Sequence, residues 1–252
     1  MSSIEKEIVF SSEMVVEAIR VSASDEDVVR AARVSTVGED SKVIADLLAM
    51  NDEDRENEER RSKGLINYLM RDRHGSPFEH NSFNFYIQAP IFVFREFMRH
   101  RIASYNEESG RYKELSPKFY IPAKNRNLVQ VGKAGAYDFV PGSAKQHRAV
   151  DRMVRLATRT SYFAYKVMLK FGVAREVARI ILPLNIYSSM YVTMNARSLM
   201  NFLSLRTKSE DSHFPSFPQR EIEMVAEQME EIFKEAMPET YAAFVKNGRV
   251  AP

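Results

Sequence analysis

The chain of 252 residues contains no cysteine. This absence excludes disulfide bonds, cysteine-ligated zinc, iron–sulfur clusters and any mechanism in which a thiolate is the nucleophile. The sequence also lacks a GxGxxG fingerprint, although it contains nine glycines. We therefore predict no Rossmann motif, so that any nucleotide cofactor is bound without the glycine-rich turn of that fold.

Long apolar runs and a strong net charge are absent as well. No run approaches the length of a membrane span, and the first ten residues, MSSIEKEIVF, lack a signal-peptide pattern. The 36 basic and 34 acidic residues give a formal net charge of +2, which provides no general attraction to nucleic acid or membrane. We expect a cytoplasmic protein that binds neither, and in which any anion affinity comes from local clustering.

The length allows one large globular domain, or at most two, and we predict a single domain over residues 1–252. The chain is 44% hydrophobic and 28% charged, enough to bury a substantial core. Alternation over residues 82–88, with Phe83, Phe85 and Ile87 on one face, predicts a half-buried strand. Helical patterns without regular strand–helix repetition predict a helix-rich α+β fold. The predicted helices cover residues 24–33, 42–50, 58–70, 91–101, 144–170, 175–181, 196–205, 220–237 and 239–246.

Two connecting segments have distinct compositions. Residues 51–57, NDEDREN, are almost all acidic or amide side chains and are predicted to be a solvated connection between two helices. Residues 120–142 contain two prolines and three glycines, which predicts an irregular excursion.

The stretch from Arg99 to Arg111, RHRIASYNEESGR, concentrates groups that bind anions. Arginine matches phosphate or carboxylate best, because its parallel donors bind two oxygens at once. Ser109 and Gly110 add a small hydroxyl donor and a residue without a Cβ, which lets backbone amides approach an anion. A solvated charged loop is the alternative, but the cluster directly follows the apolar residues 91–98. We therefore predict an anion-binding site.

The order Arg99-His100-Arg101, seven residues, then Ser109 resembles the signature of the flavin-dependent thymidylate synthases. Five further blocks resemble the same family in order, so the resemblance extends over about residues 27–235. These blocks are AARVS (31–35), HGSPFEH (74–80), APIFV (89–93), AREVARIILPLN (174–185) and NARSLMNFLSLR (195–206).

The resemblance implies an α+β fold with a central, mostly antiparallel sheet. It implies reductive methylation of dUMP to dTMP, with 5,10-methylenetetrahydrofolate as carbon donor and NADPH-reduced FAD as hydride source. Because the chain has no cysteine, the uracil ring would be activated without a thiolate. The resemblance also implies a homotetramer whose sites are shared between subunits.

The family's dUMP-binding positions match nine residues here. The resemblance places Ser109 and Arg111 on the phosphate and makes Arg206 the catalytic residue, facing the N3–O2 edge of uracil. For Arg206 a helix-end cation is the alternative, for Glu96 an ion pair with Arg99, and for Glu108 a solvent-facing side chain. The matching residues are Glu96, Arg99, Glu107, Glu108, Ser109, Gly110, Arg111, Arg179 and Arg206.

The FAD-binding positions of the family also match nine residues, and His74 matches a histidine near flavin and folate. For His100 a hydrogen-bonded structural role is the alternative, for Ser76 turn formation, and for His74 a surface turn. Adjacent Glu79 and His80 diverge and lack a third ligand, so no metal site is predicted. The FAD-matching residues are Ser76, Arg99, His100, Arg101, Glu107, Asn195, Ala196, Arg197 and Asn201.

The alternative hypothesis, from a different class of function, is an RNA-binding module that uses residues 99–111. Tyr105 and Tyr112 could stack on bases beside the arginines. This reading leaves Glu107, Glu108 and the distant family blocks unexplained, and the near-neutral net charge also counts against it.

Overall fold

The structure is a computed structural model that describes residues 7–42, 51–133 and 136–252. The chain forms two compact units. The first contains the described residues up to Val15 together with Ile87–Arg99 and Asn106–Met190. The second contains Val16–Tyr86, His100–Tyr105 and Tyr191–Pro252. The assignment of residues 1–252 to one domain stays a prediction, and residues 43–50 of the predicted helix 42–50 lie outside the described residues.

The first unit has a core formed where short strands pack with helices. Strand β1 (Val9–Ser11) pairs in parallel with β5 (Lys118–Tyr120), so that Val9 lies opposite Lys118. The buried core residues are Leu115, Phe119, Tyr162, Tyr165, Ala178 and Ile186. The other helices and strands assigned to this unit are α3 (Ile91–Phe97), β6 (Val129–Lys133), β7 (Ala136–Val140), α4 (Ala144–Lys170) and α5 (Arg175–Ala178), which a 3₁₀ turn, Arg179–Ile181, continues.

Helix α4 shows how local sequence fixes an element. Ser143 caps its first turn by accepting from the Gln146 amide, and the Gln146 side chain accepts from the Ser143 amide in return. This reciprocal capping satisfies two backbone donors that a helix N-terminus otherwise leaves unpaired. The helix covers the predicted residues 144–170, and this prediction is confirmed.

The second unit is mainly helical. Helix α1 begins after a capping box between Ser24 and Asp27, as predicted, but continues to Val37 and into a 3₁₀ turn, Gly38–Lys42. A set of fully buried side chains, including Phe83, Phe85, Phe233 and Phe244, forms its core. The other helices of this unit are α2 (Asp52–Arg71), a 3₁₀ turn (Ser76–Glu79), α6 (Ala196–Arg206), α7 (Arg220–Ala236) and α8 (Pro238–Lys246).

A buried ion pair connects α7 with the segment after α8. The guanidinium of Arg249 donates to both carboxylate oxygens of Glu230, at 2.6 and 2.9 Å, and to the Thr207 hydroxyl at 2.6 Å. The hydroxyl of Tyr241 donates to Glu230 at 2.9 Å. The side chains of Arg249 and Glu230 are only 4% and 12% exposed, so each charge depends on the other for compensation.

The main sheet has four strands in the order β2-β3-β8-β4. Strand β3 confirms the predicted alternation, because Phe83, Phe85 and Ile87 are all fully buried. A helix-rich α+β fold with an antiparallel sheet is thereby confirmed, although the small β1–β5 pair is parallel. The strands of the main sheet are β2 (Val15–Ser22), β3 (Ser82–Pro90), β4 (Ser104–Glu107) and β8 (Tyr187–Met194). None of the helices in the described part of the chain has the length and apolar character needed to span a bilayer.

Three further predictions are wrong. The acidic residues 52–57 are helical, because Asn51 caps α2 by accepting from the Asp54 amide and first-turn carboxylates suit the helix dipole. Helix α3 ends at Phe97, not near 101, because the chain must leave the helix to pair as β4 from Ser104. Residues 120–142 contain an antiparallel pair, β6–β7, in which Val129 lies opposite Val140.

Candidate functional site

The side chain of Glu108 holds the loop that follows β4 in place. The Glu108 amide donates to the Ser189 carbonyl at 2.9 Å, and the Ser189 hydroxyl donates to the Glu108 carboxylate at 3.1 Å. Lys113 forms an ion pair with the same carboxylate at 2.7 Å. The Glu108 side chain is only 18% exposed, so it anchors the loop and does not extend into solvent.

Two arginines lie against this loop. Arg111 forms an ion pair with Glu176 of α5 at 2.7 Å, and both side chains are about half exposed. A Cβ placed on the buried Gly110 would stand 3.4 Å from Cδ of Arg179, so the Arg179 side chain packs directly beside the Gly110 backbone. The Ser109 hydroxyl accepts from the Arg111 amide at 3.3 Å. The first unit therefore brings these four sequence-predicted residues together.

Glu107 contributes to this loop a carboxyl group whose pKa is raised. Partial desolvation raises the pKa of Glu107 although the residue as a whole is exposed, and the charge of Glu108 raises it further. The guanidinium of Arg179 opposes the rise. A carboxylate beside cationic and hydroxyl donors can accept a hydrogen bond from a ligand that the cations attract.

His100 and Arg206 form a pair in the second unit. Nε of Arg206, the last residue of α6, donates to Nε2 of His100 at 3.1 Å. The imidazole packs edge-on against Phe202, with ring centroids 4.9 Å apart, and the His100 carbonyl accepts from the Tyr105 hydroxyl at 2.6 Å. Burial, aided by the charge of Arg206, lowers the pKa of His100 to about 4.

Arg197, near the start of α6, lies in a second polar cluster of the same unit. Its guanidinium donates to Glu79 at 2.5 Å and to the Pro252 carbonyl at 2.6 Å, and its side chain is 41% exposed. A Cβ on Gly75 would stand 2.6 Å from this guanidinium and 2.9 Å from the Pro252 carbonyl oxygen, so a larger residue there would displace the Arg197 side chain. Ser76 begins the adjoining 3₁₀ turn and is exposed.

The remaining candidates for cofactor binding lie around α6 and the turn before β3. Asn195 caps α6 by accepting from the Ser198 amide, and the Asn201 amide group donates to the Arg197 carbonyl at 3.1 Å. Ala196 is fully buried and its amide donates to Asn81 at 2.7 Å. The exposed His74 stacks on Tyr68 with ring centroids 5.6 Å apart.

The residues around the Arg-His-Arg motif are divided between the two units. Glu96 is the penultimate residue of α3, and its carbonyl accepts from the Arg99 amide at 3.2 Å in the first unit. Arg101 is exposed and belongs to the second unit, like His100.

The sequence analysis missed several partners of the candidate residues. Glu176 lies three residues before Arg179, and this spacing on a helix could have suggested that it approaches the same loop. Ser189, Glu79 and Pro252 carry no comparable local signal, because each contacts its partner across 55 or more residues of chain. Within the residues that the structure describes, no group of three or more His, Asp or Glu side chains could hold a metal ion.

Comparison with known proteins gives consistent matches over nearly all of this chain. The family model described as thymidylate synthase complementing protein matches residues 16–239. A flavin-dependent thymidylate synthase of Streptomyces avermitilis is 59% identical over 244 residues, covering 96% of this chain and 95% of that protein. One from Tropheryma whipplei is 58% identical over 244 residues, covering 97% of each. The crystal structure of the UMP/dUMP methylase PolB from Streptomyces cacaoi, bound with 5-Br dUMP, is similar at 50% identity and a TM-score of 0.88, covering 97% of this chain and all of that one.

Proposed function

The chain belongs to the family of thymidylate synthase complementing proteins, and from this premise we propose how its residues carry out reductive methylation of dUMP to dTMP. The protein is an enzyme that depends on flavin and has no cysteine to add to the uracil ring. Its carbon donor is 5,10-methylenetetrahydrofolate, and NADPH is the reductant. The task of its own side chains is to bind the nucleotide, polarise the ring and hold the cofactor.

The nucleotide phosphate binds at the loop of residues 107–111. The observation that carries this proposal is the meeting of Ser109, Gly110, Arg111 and Arg179 in one unit. Two guanidiniums and a hydroxyl beside a residue without a Cβ form a donor set suited to a phosphate. Glu107 accepts from the nucleotide, and Glu108 keeps the loop in place through Ser189. Ser109 therefore acts as a hydrogen-bond donor and not as a nucleophile.

Arg206 takes the place of the missing thiolate in activating the ring. Negative charge develops on the pyrimidine during reduction, and a fixed guanidinium stabilises it. Arg206 stands at the end of α6, where its backbone position is set by a regular helix. Glu96, in the last turn of α3, and Arg99, two residues after that helix, complete the proposed nucleotide contacts.

The residues proposed for FAD fit the cofactor by their chemistry. FAD carries a diphosphate and a ring edge of amide-like groups, which call for guanidinium and amide side chains. Arg101 and Arg197 supply the cations, and Asn195 and Asn201 supply amides. FAD, when bound, supplies the hydride that reduces the methylene group to methyl. The residues we propose to hold it are Ser76, Arg99, His100, Arg101, Glu107, Asn195, Ala196, Arg197 and Asn201, with His74 near both flavin and folate.

The proposal also covers subunit assembly and location in the cell. We propose a cytoplasmic homotetramer in which neighbouring subunits complete each site and admit the folate. The exposure of Arg101, Arg179 and the guanidinium of Arg197 in a single chain supports this, because such groups are accessible to a ligand held by another subunit. The RNA-binding alternative receives no support from the comparisons, and the proposal does not include it.

The test is a product assay with purified protein. We expect flavin absorption bands after FAD addition and chromatographically identified dTMP from dUMP, 5,10-methylenetetrahydrofolate and NADPH. Omitting any one of these reactants, or replacing Arg206 by lysine, should abolish most dTMP formation. Arg126→Lys, outside every proposed contact, is the matched control and should retain activity. Flavin-loaded protein that makes no dTMP with all reactants present would contradict the proposal.

A further inference from the structure

The contact between His100 and Arg206 joins two predicted site residues that the sequence assigned to different ligands. Nε of Arg206 lies 3.1 Å from Nε2 of His100, across 106 residues of chain. Arginine has five N–H donors and no acceptor, so the imidazole nitrogen must be the acceptor in this bond. The histidine is then neutral and carries its proton on Nδ1, because a protonated Nε2 would point an N–H at the guanidinium.

The surroundings of His100 favour that neutral form. Burial and the charge of Arg206 lower its pKa to about 4, so the imidazole is neutral throughout the range in which an enzyme of this kind works. Tyr105 is a second ionisable residue in contact with His100, and its hydroxyl donates to the His100 carbonyl. Burial raises the pKa of Tyr105 to about 12, so it remains a neutral donor over the same range.

The imidazole is also held in place mechanically. Phe202 contacts its ring at 4.9 Å with an angle of 69° between the planes, and Phe202 itself is fully buried. Phe202 precedes Arg206 by four residues on α6, so both project from one side of that helix. Helix α6 therefore supplies both the surface that positions the imidazole and the guanidinium that the imidazole binds.

We propose that His100 is a positioning residue for Arg206: its neutral Nε2 accepts the Nε–H and thereby sets the plane of the guanidinium that stabilises charge on the uracil. This inference rests on the proposed function and assigns His100 to the ring-activating group in addition to the cofactor side. Misplacing such a group by about 1 Å can cost about 100-fold in rate.

Two substitutions of equal polarity separate positioning from a general structural role. In His100→Gln the amide oxygen can stand near the position of Nε2 and accept from Arg206. In His100→Asn the side chain is one methylene shorter and its oxygen does not reach. We expect kcat for dTMP formation to fall between about 10- and 100-fold in His100→Asn, and within about 5-fold of the parent in His100→Gln. His147→Asn, a half-buried histidine of α4 outside the proposed site, should be unchanged.

Three measurements in addition to kcat test the inference. Thermal unfolding midpoints should agree between the two variants, which separates the rate loss from misfolding. The Kd of dUMP should change little, so that the loss falls on kcat and not on KM. A double-mutant cycle of His100→Asn with Arg206→Lys should show strong non-additivity, because the second change removes the group that the first one misplaces. Additive losses, or equal kcat in His100→Gln and His100→Asn, would overturn the inference.

Failure of the proposed function gives a different pattern. If the protein does not methylate dUMP, the parental protein makes no dTMP and the His147→Asn control is equally inactive. If only the inference is wrong, the parental protein and the control are active while the Gln–Asn contrast is missing. Should His100→Asn fail to fold, a kcat for His100→Gln that is reduced 10-fold or more at unchanged thermal stability would still overturn the inference, because the acceptor is retained there.

Discussion

Removing the carboxylate of Glu230 should destabilise the protein severely. Arg249 is 4% exposed and donates three hydrogen bonds, two of them to Glu230. In Glu230→Leu the guanidinium would stay buried without its carboxylate partner, next to neutral groups such as the Thr207 hydroxyl, and Tyr241 would lose its acceptor as well. Leaving one charge of a buried pair uncompensated costs about 3–5 kcal/mol.

The assay is equilibrium urea unfolding at a fixed protein concentration, because the stability of the proposed homotetramer would depend on that concentration. The double variant Glu230→Leu/Arg249→Met should regain much of the loss, since apolar replacement of both partners removes the unpaired charge. Arg220→Met is a matched control, as its ion pairs with Glu223 and Glu227 are more exposed and should contribute about 1 kcal/mol or less. A Glu230→Leu loss no larger than that of the control would refute the reasoning.

The ionisation of Glu230 predicts that the stability contributed by the Glu230–Arg249 pair depends on pH. Burial tends to raise the pKa of Glu230, but the hydrogen bonds and charge of Arg249 outweigh it, and the net pKa is lowered. A carboxyl group whose pKa is lowered in the folded state contributes stability above its unfolded pKa, and that stability is lost as pH falls through the folded value. We expect the difference in unfolding free energy between the parental protein and the double variant to decrease below about pH 4.5.

Further outcomes follow from the site. Ser109→Ala should weaken dUMP binding by roughly 1.5–3 kcal/mol and retain turnover; full loss of turnover at unchanged dUMP affinity would instead support a nucleophile. Arg206→Lys should lose most dTMP formation while dUMP still binds, because lysine lacks the planar fork, and near-normal turnover would argue against a two-point contact. The pKa of His100 is lowered from 6.5 to about 4. Its contribution to the unfolding free energy should therefore be fully present above about pH 6.5 and be lost as pH falls toward 4, by roughly 1–2 kcal/mol after solvent screening. Unfolding curves of His100→Gln, in which this pH dependence should be missing, would check the prediction. Gly75→Ala should lower FAD affinity at least about 10-fold by displacing Arg197, and unchanged affinity by fluorescence titration would contradict this.

Most of the helices and strands that were predicted correctly are determined by residues close together in the sequence. The capping boxes at Ser24 and Ser143 fix helix starts through neighbours three residues away, and the alternation of β3 fixes its buried face. The end of α3 was missed because it depends on β4 joining a sheet with distant strands. The candidate loop was visible because its donors are contiguous in sequence. The His100–Arg206 bond was not, because 106 residues separate the two side chains and no local pattern encodes their contact.

Helix α6 also fixes the distance between the side chains of Arg197 and Arg206 and the directions in which they point. Arg197 and Arg206 are nine residues apart on it, which corresponds to about 14 Å of rise and about two and a half turns. The two guanidiniums therefore leave the helix on opposite sides. Inserting or deleting one residue between them would rotate one against the other by about 100°, whatever side chain was involved. The length of α6 is consequently constrained more tightly than the identity of its exposed residues, and homologous sequences should vary there by substitution and not by insertion.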